Sequence, residues 1–232
     1  TSLIKVLGLD FNKTYAMNEI GDKEWKTLRY GFIVGLTDQD LDGFNIYGLI
    51  ATFIMTYWPA LLGRGFLRRI ITPVVRAYPK NKNRDKVKEF YSEREVRAWA
   101  ETLDVDIESM YTLKYYKGLG THNQAYKEVT QMFKNIDSKI KTYVFDEDAF
   151  KNMIIYYGDD TAPRKKALAD PFIEEPRGTL QVPISEQFKI DTKAFQRDNI
   201  VRKLLSMVDG FVSSRRKVFF VARKNGRNTI KV

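Results

Sequence analysis

The sequence predicts an α/β domain in which helices flank a mainly parallel sheet, followed by a mainly helical segment. Short apolar runs of strand length alternate with stretches whose apolar residues recur every three or four positions, as on one face of a helix. Residues 170–183 then contain Pro171, Pro176, Gly178 and Pro183, a composition typical of a linker. The residues beyond this linker are basic and are interpreted as helical.

The composition allows a folded core and excludes several classes of protein. Of the 232 residues, 44% are hydrophobic, so we expect a sizeable core rather than disorder. The absence of cysteine excludes disulfides and thiolate metal sites, and it suits an intracellular protein. The longest apolar stretch, residues 44–62, is interrupted by polar residues and by Pro59, so we interpret it as a buried helix and expect no membrane association.

The clearest pair of elements is a strand followed by a helix. Residues 31–36 (GFIVGL) form a continuous apolar run that is typical of a buried parallel strand. Apolar side chains then recur at helical spacing from residue 46 to residue 58, at positions 46, 49, 50, 53, 54, 57 and 58. This spacing predicts an amphipathic helix that ends near Pro59.

Further strands and helices are predicted along the rest of the chain. A second strand is expected over residues 70–78, where Pro73 indicates a sheet edge or a bulge. Three more strands are expected over residues 87–91, 111–116 and 140–145, and a short helix or strand over 3–9. One helix is predicted to start at a capping box of Ser92 and Glu95 and to run to about residue 103. Two later helices are predicted, one with Ala125, Val129, Met132 and Phe133 on one face and one over 150–157 that is stopped by Gly158.

An acidic loop connects the first strand to the long helix. In GLTDQDLDG (35–43), Asp38, Asp40 and Asp42 occupy alternate positions, so in an extended loop their side chains converge on one side. The loop follows the carboxyl end of a strand, where parallel α/β sheets bind ligands. A divalent cation such as Mg²⁺ relieves the repulsion between the carboxylates, and Gly43 allows a sharp turn into the helix. These residues therefore predict a magnesium site.

Two other interpretations of this loop remain open. An EF-hand needs acidic ligands at positions 1, 3 and 5, glycine at position 6 and glutamate at position 12. The acidic loop supplies the first four of these features, but position 12 is Leu49, inside the apolar helix. Alternatively the acidic residues cap a helix N-terminus, a role that Asp42 alone would fill and that leaves Asp38 and Asp40 unexplained.

A second unusual stretch, KYYKGLGTHNQAYKEV (114–129), places a glycine-rich turn between a predicted strand and a helix. Such a turn suits an anion, because backbone N–H groups at a helix N-terminus point toward it, and Lys117 adds a positive charge. A tight turn without a ligand also needs glycine, so the pattern alone decides nothing. His122, the one histidine of the sequence, is interpreted as a capping residue rather than a catalyst.

The positive charge is concentrated at one end of the chain. The formal net charge is +10, and residues 187–232 contain 12 Lys/Arg against 3 Asp. The preceding residues 1–186 are nearly balanced, with 27 basic and 26 acidic side chains. A local excess of this size favours a polyanionic partner, most simply nucleic acid. The alternative is a solvated surface without a partner.

Three motifs in this order resemble those of type IIA DNA topoisomerases. TDQDLDG (37–43) and YYKGLGT (115–121), about 75 residues apart, resemble the TOPRIM domain of that family, which binds the metal. SMVDGFVSSRRKVFF (206–220) resembles the start of its winged-helix DNA gate. The resemblance covers nearly the whole chain, since LIKVLGLDFNK (3–13), KTLRYG (26–31) and ITPVVR (71–76) are similar as well.

The particular residues within these motifs indicate which branch of the family the chain resembles. Bacterial members tend to contain TDADVDG and split TOPRIM and DNA gate between two subunits. TDQDLDG in one chain with the gate motif resembles the eukaryotic or large-DNA-virus form. Departures from the cellular eukaryotic pattern, at Phe44, Asn45, Tyr47, Leu205 and in FVSSRRK (211–217), favour a viral or otherwise divergent enzyme.

The resemblance implies a function and a role for several residues. Family members use ATP and Mg²⁺ to pass one duplex through a transient double-strand break in another, with a tyrosine that becomes linked to the 5′ phosphate. By this resemblance Asp38 and Asp40 are metal ligands, Asp42 is a further ligand or supports one, and Lys117 lies near DNA or the metal and is the catalytic candidate. Implied contacts to DNA come from Lys117, Arg216 and Lys217, with Arg215, Arg202 and Lys203 as further candidates.

The resemblance also implies a division of the chain and its missing parts. We expect a TOPRIM metal-binding domain over 1–145 without its first strand, a helical extension and Pro-rich linker over 146–186, and the start of the DNA gate over 187–232. The family's metal-binding glutamate, its catalytic tyrosine and its ATP-binding domain are expected outside the chain, so the chain alone should not cleave DNA. Expected partners are double-stranded DNA and a second copy in a homodimer, acting in the nucleus or at a cytoplasmic site of viral replication.

Two other functions remain possible from sequence. Another TOPRIM enzyme, such as a primase or a nuclease-like protein, would share the acidic loop but not YYKGLGT or the stretch 206–220. A non-catalytic DNA-binding module would use the carboxylates only for structure. Titration of Mg²⁺ binding with and without Asp38 and Asp40 separates this second alternative from the enzymes.

Overall fold

The computed structural model describes residues 2–81, 87–91, 93–103, 107–116, 130, 133–134, 136–171 and 180–226. Strands in this part of the chain are β1 (Ile33–Gly35), β2 (Leu67–Ile70), β3 (Val75–Pro79), β4 (Lys88–Phe90), β5 (Tyr111–Tyr115), β6 (Ile140–Val144) and β7 (Gln181–Pro183). Helices before β5 are α1 (Ser2–Leu7), α2 (Glu19–Trp25), α3 (Leu41–Tyr57), α4 (Ala60–Gly63), α5 (Glu93–Glu101) and α6 (Ile107–Met110).

The helices after β5 end in one long composite helix and a separate terminal one. A 3₁₀ turn (Ile136–Ser138), α7 (Ala149–Tyr157) and α8 (Thr161–Ala169) come first. Helix α9 is continuous and consists of an α-helical turn (Ile184–Glu186), a π-helical segment (Gln187–Thr192) and an α-helical segment (Lys193–Lys203). Helix α10 covers Ser213–Asn225. No helix in the described ranges is both long and apolar enough to cross a bilayer.

The strands form two sheets. In the larger sheet the order is β1-β2-β6-β7, with β1 parallel to β2, β2 antiparallel to β6, and β6 parallel to β7. In the smaller sheet the order is β4-β3-β5, and both pairings are antiparallel. The predicted α/β fold class is confirmed, whereas parallel pairing among the described strands is confined to β1–β2 and β6–β7. Strand β1 lies at the edge of the described sheet, so its residues are half-buried rather than buried.

The predicted single strand over residues 70–78 is wrong, because it is two strands in two sheets. Pro73 has no N–H group to donate to a ladder, and the chain changes sheets around it. On one side of Pro73, the Ile71 N–H donates to the Lys139 carbonyl at 2.8 Å; on the other, the Val74 N–H donates to the Phe90 carbonyl at 2.8 Å. The proline therefore marks a switch between sheets rather than a bulge within one.

Helix α3 forms where the sequence predicts it, but its buried face differs from the predicted one. Ile46, Leu49 and Tyr57 belong to the predicted apolar face and are exposed. The buried positions are instead Gly43, Phe44, Tyr47, Gly48, Ala51, Ile54 and Met55. The helix is apolar on most sides, so hydrophobic spacing does not select its face. The choice follows from small residues that permit close packing, since a Cβ atom on Gly48 would lie 2.5 Å from the Tyr157 hydroxyl oxygen.

The core lies on both sides of α3. One cluster fills the space between the larger sheet, α3, α7 and the start of α9, and another joins α3 to the N-terminal segment and α4. A third, smaller cluster packs α5 on the antiparallel sheet. The fully buried side chains with the largest volumes are Trp58, Tyr15, Tyr47, Phe66 and Phe188.

The predicted boundary between residues 186 and 187 falls inside the continuous helix α9. Strand β7, which ends the predicted linker, pairs with β6, and the π-helical segment packs along α3. The Gln187 side-chain amide donates to the Phe44 carbonyl oxygen at 3.1 Å. The division into three parts stays a prediction; what the structure shows is that the basic C-terminal segment is attached to the larger sheet through a buried stretch of helix.

A charged network joins the two sheets. Arg76 on β3 contacts the Glu89 carboxylate from Nε at 3.0 Å and from Nη2 at 2.9 Å, and the Lys139 ammonium donates to the same carboxylate at 3.0 Å. The Tyr91 hydroxyl donates to Glu89 at 3.1 Å, and burial and this carboxylate raise the pKa of Tyr91 to about 12. Burial alone would raise the pKa of Glu89, but the Lys139 and Arg76 charges outweigh it and hold that pKa below its ordinary value of 4.5.

Replacement of Glu89 by Gln is expected to reveal this network in the pH dependence of stability. Because the pKa of Glu89 is lower in the folded state, its stabilising contribution is present above the unfolded-state pKa and is lost as the pH falls through the folded-state pKa. We expect Glu89→Gln to lower the free energy of unfolding by about 1–3 kcal/mol at pH 7, and the difference from the unsubstituted protein to shrink below about pH 4.5.

Urea denaturation at pH 7, 5 and 3.5 measures this difference. Glu147→Gln removes an exposed carboxylate and serves as the matched control, with little change expected at any of the three pH values. A pH-independent loss of stability in Glu89→Gln would contradict the electrostatic account.

Candidate metal centre at the acidic loop

The acidic loop lies between the end of β1 and the start of α3, as predicted. Asp40 is the N-cap residue of α3, with extended backbone angles of φ −118° and ψ 175°, and its Oδ1 accepts the Gly43 N–H at 2.8 Å. Aspartate is one of the preferred residues at this position because its carboxylate satisfies an amide that the helix leaves unpaired. Under the capping alternative the sequence offered Asp42 as the capping residue, whereas the structure places Asp40 at the cap and Asp42, exposed, within the first turn.

Gly43 brings the first turn of α3 against the backbone of the loop. A Cβ atom at this position would lie 2.2 Å from the Asp38 carbonyl oxygen and 3.1 Å from the Asp38 carbonyl carbon. These atoms are main-chain atoms, which cannot turn aside as a side chain can. The glycine therefore serves close approach between loop and helix, and this approach fixes where the Asp38 residue sits.

A buried arginine lies beneath the loop. Arg69 on β2 is 3% exposed, and its Nη2 donates to the Asp38 carbonyl oxygen and to Gln39 Oε1, both at 3.3 Å. Its Nη1 contacts Asp191 Oδ2 on the π-helical segment at 3.4 Å, and the guanidinium carbon lies 4.5 Å from the centre of the Phe44 ring. The acidic loop, the start of α3 and α9 thus meet at one guanidinium.

A second arginine lies over the solvent side of the loop. Arg202, near the end of α9, contacts Asp42 Oδ1 from Nη2 at 3.1 Å and Asp198 Oδ2 from Nε at 2.6 Å. The carboxylates of Asp42, Asp198 and Asp40 raise the pKa of Arg202. Since both Arg202 and Asp42 are largely exposed, this ion pair contributes about 1 kcal/mol or less.

The carboxylates of the loop suit a hard divalent cation in number and kind, although they are not gathered into one cluster. Asp38 and Asp40 are half-buried where β1 ends and α3 begins, while Asp42 is turned toward Arg202. No group of three or more His, Asp or Glu side chains within the described ranges is placed to hold a metal. Mg²⁺ takes one or two protein carboxylates and completes its shell with water or phosphate oxygens, so Asp38 and Asp40 fit it. Their assignment as ligands stays a prediction.

The predicted anion-binding turn lies outside the described residues. This applies to Lys117, to the glycines of YYKGLGT and to His122. The strand that leads into the turn is described: the Tyr116 hydroxyl accepts from Arg76 Nη1 at 3.2 Å. The residue before Lys117 is therefore held by the network that joins the two sheets.

The basic side chains predicted to contact DNA differ in their surroundings. Arg216 on α10 folds back on the SMVDGF turn and contacts both carboxylate oxygens of Asp209, at 2.5 and 2.8 Å. This contact lowers the pKa of Asp209 strongly. Arg215 and Lys217 on α10 are exposed, and Lys203 is exposed at the end of α9. All of these side chains lie on α9 and α10, and their contact with DNA stays a prediction.

Sequence reasoning missed the buried pair of Arg69 and Asp191. A signal was present, since Arg68 and Arg69 stand side by side within the apolar run GFLRRIITPVV (65–75). Charged residues in a buried strand require a partner, and this requirement distinguishes them from surface residues. The partner could not be identified from the sequence because 122 positions separate the two residues.

A family model described as the C-terminal associated domain of TOPRIM matches residues 70–203. The chain belongs to this family. DNA topoisomerase 2 of African swine fever virus, strain Badajoz 1971 Vero-adapted, is 38% identical over 224 residues, which cover 93% of this chain and 18% of the viral protein. DNA topoisomerase 2 of Bombyx mori is 33% identical over 249 residues, covering all of this chain and 15% of the insect protein.

A solved structure shows the same fold for this member of the TOPRIM-associated family. The crystal structure of the Plasmodium falciparum topoisomerase II DNA-binding, cleavage and re-ligation domain superposes with a TM-score of 0.77 at 24% identity, over 98% of this chain and 30% of that one. The family model and the DNA topoisomerase 2 relatives confirm the resemblance to type IIA DNA topoisomerases. The chain spans about a fifth or less of the length of the curated relatives it matches.

Replacement of Gly43 by Ala is expected to destabilise the fold, because the cost of the clash with the loop exceeds the gain in helix propensity. The added methyl group requires the Asp38 backbone to move, and overpacking of this kind costs about 1–3 kcal/mol, whereas alanine gains at most about 1 kcal/mol over glycine in a helix. Urea denaturation of Gly43→Ala should show net destabilisation. Gly31→Ala is the control, because a Cβ atom there meets nothing within 4 Å. Equal stability of the two variants would rule out the close approach.

Proposed function

We propose that this chain is the part of an ATP-dependent type IIA DNA topoisomerase that supplies metal ligands and the entry to the DNA gate. The observation that carries the proposal is the match to DNA topoisomerase 2 of African swine fever virus over 93% of this chain. The alternatives, a primase-like or nuclease-like TOPRIM enzyme and a non-catalytic DNA-binding module, gain no support from the comparisons. The substrate is double-stranded DNA, whose topology changes by cleavage, passage of a second duplex and religation.

The geometry of the loop supports a role in phosphate chemistry. Asp38 and Asp40 would hold Mg²⁺, with Asp42 as a further ligand or supporting residue. When bound, the ion neutralises charge that develops on a phosphodiester during its cleavage and religation. Asp40 also caps α3, so its carboxylate is held at a fixed position by the helix that it starts.

The basic helices support DNA binding beside the acidic loop. Arg202 on α9 lies within reach of Asp42, so a phosphate that contacts Arg202 would lie beside the metal ligands. Arg215 and Lys217, exposed on α10, would contact the backbone further along the duplex. Lys117 is the further candidate near DNA or the metal. ATP would be bound by another domain of the complete enzyme, which would act as a homodimer inside the cell.

Charge-neutral substitution of the two metal ligands tests the catalytic proposal. Asparagine caps a helix about as well as aspartate, so Asp40→Asn removes the charge while it keeps the cap. In the full-length enzyme we expect Asp38→Asn and Asp40→Asn each to slow Mg²⁺-dependent cleavage of supercoiled plasmid at least about a hundredfold, because the ion contributes several kcal/mol to the transition state.

The design separates metal chemistry from DNA binding and from stability. Both variants should bind plasmid DNA with the affinity of the unsubstituted enzyme in a mobility-shift assay. Asp159→Asn removes an exposed carboxylate beyond α7 and should cleave normally. Cleavage by Asp40→Asn at the normal rate would remove Asp40 from the metal site.

The salt dependence of DNA binding tests the basic residues of α10. Removal of one phosphate-binding side chain reduces the slope of log affinity against log salt concentration by about 0.9, so Arg215→Ala combined with Lys217→Ala should reduce it by about 2. The matched control replaces Lys165 and Lys166, both exposed on α8. An unchanged slope in the α10 variant, or an equal reduction in the control, would show that α10 does not contact phosphates.

A further inference from the structure

Arg69 is a buried charged residue, and its side-chain contacts are with the acidic loop and with the helices α3 and α9 beside it. It lies on β2 beside the buried Ile70 and is 3% exposed, although a buried guanidinium costs several kcal/mol unless its hydrogen bonds are satisfied. Its Nη1 and Nη2 groups have acceptors, whereas its Nε has none among the described residues. Its partners are Asp38 and Gln39 in the acidic loop and Asp191 on α9, and the rings of Phe44 and Tyr47 lie against it. Each of these residues belongs to the loop or to a helix that borders it.

The contact with Asp38 is made through its main chain. Nη2 of Arg69 donates to the Asp38 carbonyl oxygen at 3.3 Å. The same oxygen would lie only 2.2 Å from a Cβ atom on Gly43, so α3 passes close to it. The peptide that follows Asp38 is thus held by a hydrogen bond from Arg69 and by close contact with the first turn of α3. Because these two contacts hold its main chain, the position from which the Asp38 side chain extends is defined.

Asp191 contacts the other terminal nitrogen of the guanidinium, with its Oδ2 3.4 Å from Nη1. It is 5% exposed and lies on the π-helical segment, a form of helix that is rare and often found at functional sites. The neighbouring contact from Gln187 to the Phe44 carbonyl oxygen at 3.1 Å holds this segment on the start of α3. The orientation of Arg69 is therefore set by a helix that also carries Arg202.

We propose that Arg69 is a positioning residue that fixes Asp38 for metal binding through the planar fork of its guanidinium, with Asp191 as its anchor. The proposal rests on the proposed function, because it requires Asp38 to bind Mg²⁺. Residues that hold a ligand in place typically change metal affinity about 10–100-fold when they are replaced.

Two effects of Arg69 on a cation must be separated. Its positive charge repels Mg²⁺, so removal of the charge strengthens binding, whereas loss of the fork releases Asp38 and weakens binding. Arg69→Lys keeps the charge and loses the fork, since an ammonium group on a flexible stem lacks the rigid planar set of donors that reaches the three acceptors. This substitution therefore isolates the positioning effect.

The chain offers a matched control for the cost of losing a buried arginine. Arg76 is also buried, lies on a strand and is paired with a carboxylate, but it belongs to the smaller sheet and contacts Glu89 and Tyr116 instead of the acidic loop. Arg76→Lys should destabilise the fold to a similar degree as Arg69→Lys. It should leave the metal ligands where they are.

The experiment is calorimetric titration of Mg²⁺ into the full-length enzyme without nucleotide, with melting temperatures recorded for every variant. We expect Arg69→Lys to weaken Mg²⁺ binding about tenfold and Arg76→Lys to change it less than about twofold. Binding of Mg²⁺ to Arg69→Lys within about twofold of the unsubstituted enzyme, or equal weakening in both variants, would overturn the proposal.

A second variant keeps the test decisive if Arg69→Lys does not fold. Gln39→Leu removes one acceptor of Arg69 without a change in charge and should weaken Mg²⁺ binding about threefold, less than the loss of the whole fork; unchanged affinity there counts against the proposal. Failure of the proposed function has a different signature: Asp38→Asn would then bind Mg²⁺ as well as the unsubstituted enzyme does.

Discussion

The burial of Arg69 is the constraint on which the arrangement of the acidic loop depends. A guanidinium with 3% exposure needs acceptors inside the protein, and its Nη1 and Nη2 groups find them on segments that are far apart in the chain. Loop, strand and α9 are consequently tied to one another by directional hydrogen bonds instead of by apolar packing alone. Two of these contacts, to the Asp38 carbonyl oxygen and to Gln39, hold the irregular loop at the edge of the sheet.

The smaller sheet also contains a buried arginine paired with a carboxylate, and there the pair joins the two sheets. Arg76 and Glu89, with Lys139 and Tyr91, connect the antiparallel sheet to the segment that precedes β6 in the larger sheet. The chain passes from one sheet to the other at Pro73, where no ladder can form, so the two sheets share little backbone hydrogen bonding there. The charged side chains therefore connect the two sheets where backbone hydrogen bonds do not. Both networks are half-buried or buried, where ion pairs and their hydrogen bonds matter more than at the surface.

Much of the fold and the outline of the site were predictable from local sequence. The apolar run before the acidic loop, the spacing within α3 and Pro59 at its end are local signals, and they gave the order of elements around Asp38 and Asp40 correctly. The buried face of α3 was not predictable, because its small residues Gly48 and Ala51 matter only once α7 and α9 lie against them. The switch at Pro73 and the pairing of Arg69 with Asp191 depend on contacts between distant segments, for which spacing along the chain carries no information.

The ion pair between Arg202 and Asp42 connects the two halves of the proposed function. Both side chains are largely exposed, so exchange of their partners costs about 1 kcal/mol or less. Under the proposed function, a DNA phosphate that contacts Arg202 would leave the Asp42 carboxylate without that charge, and a cation at the acidic loop would supply the compensation. By linkage, a metal bound near Asp42 would then favour the phosphate at Arg202, and the phosphate would favour the metal to the same degree. The net charge of +10 overstates the attraction for DNA in the absence of the cation, since Arg202 and Arg216 each already face a carboxylate of their own chain.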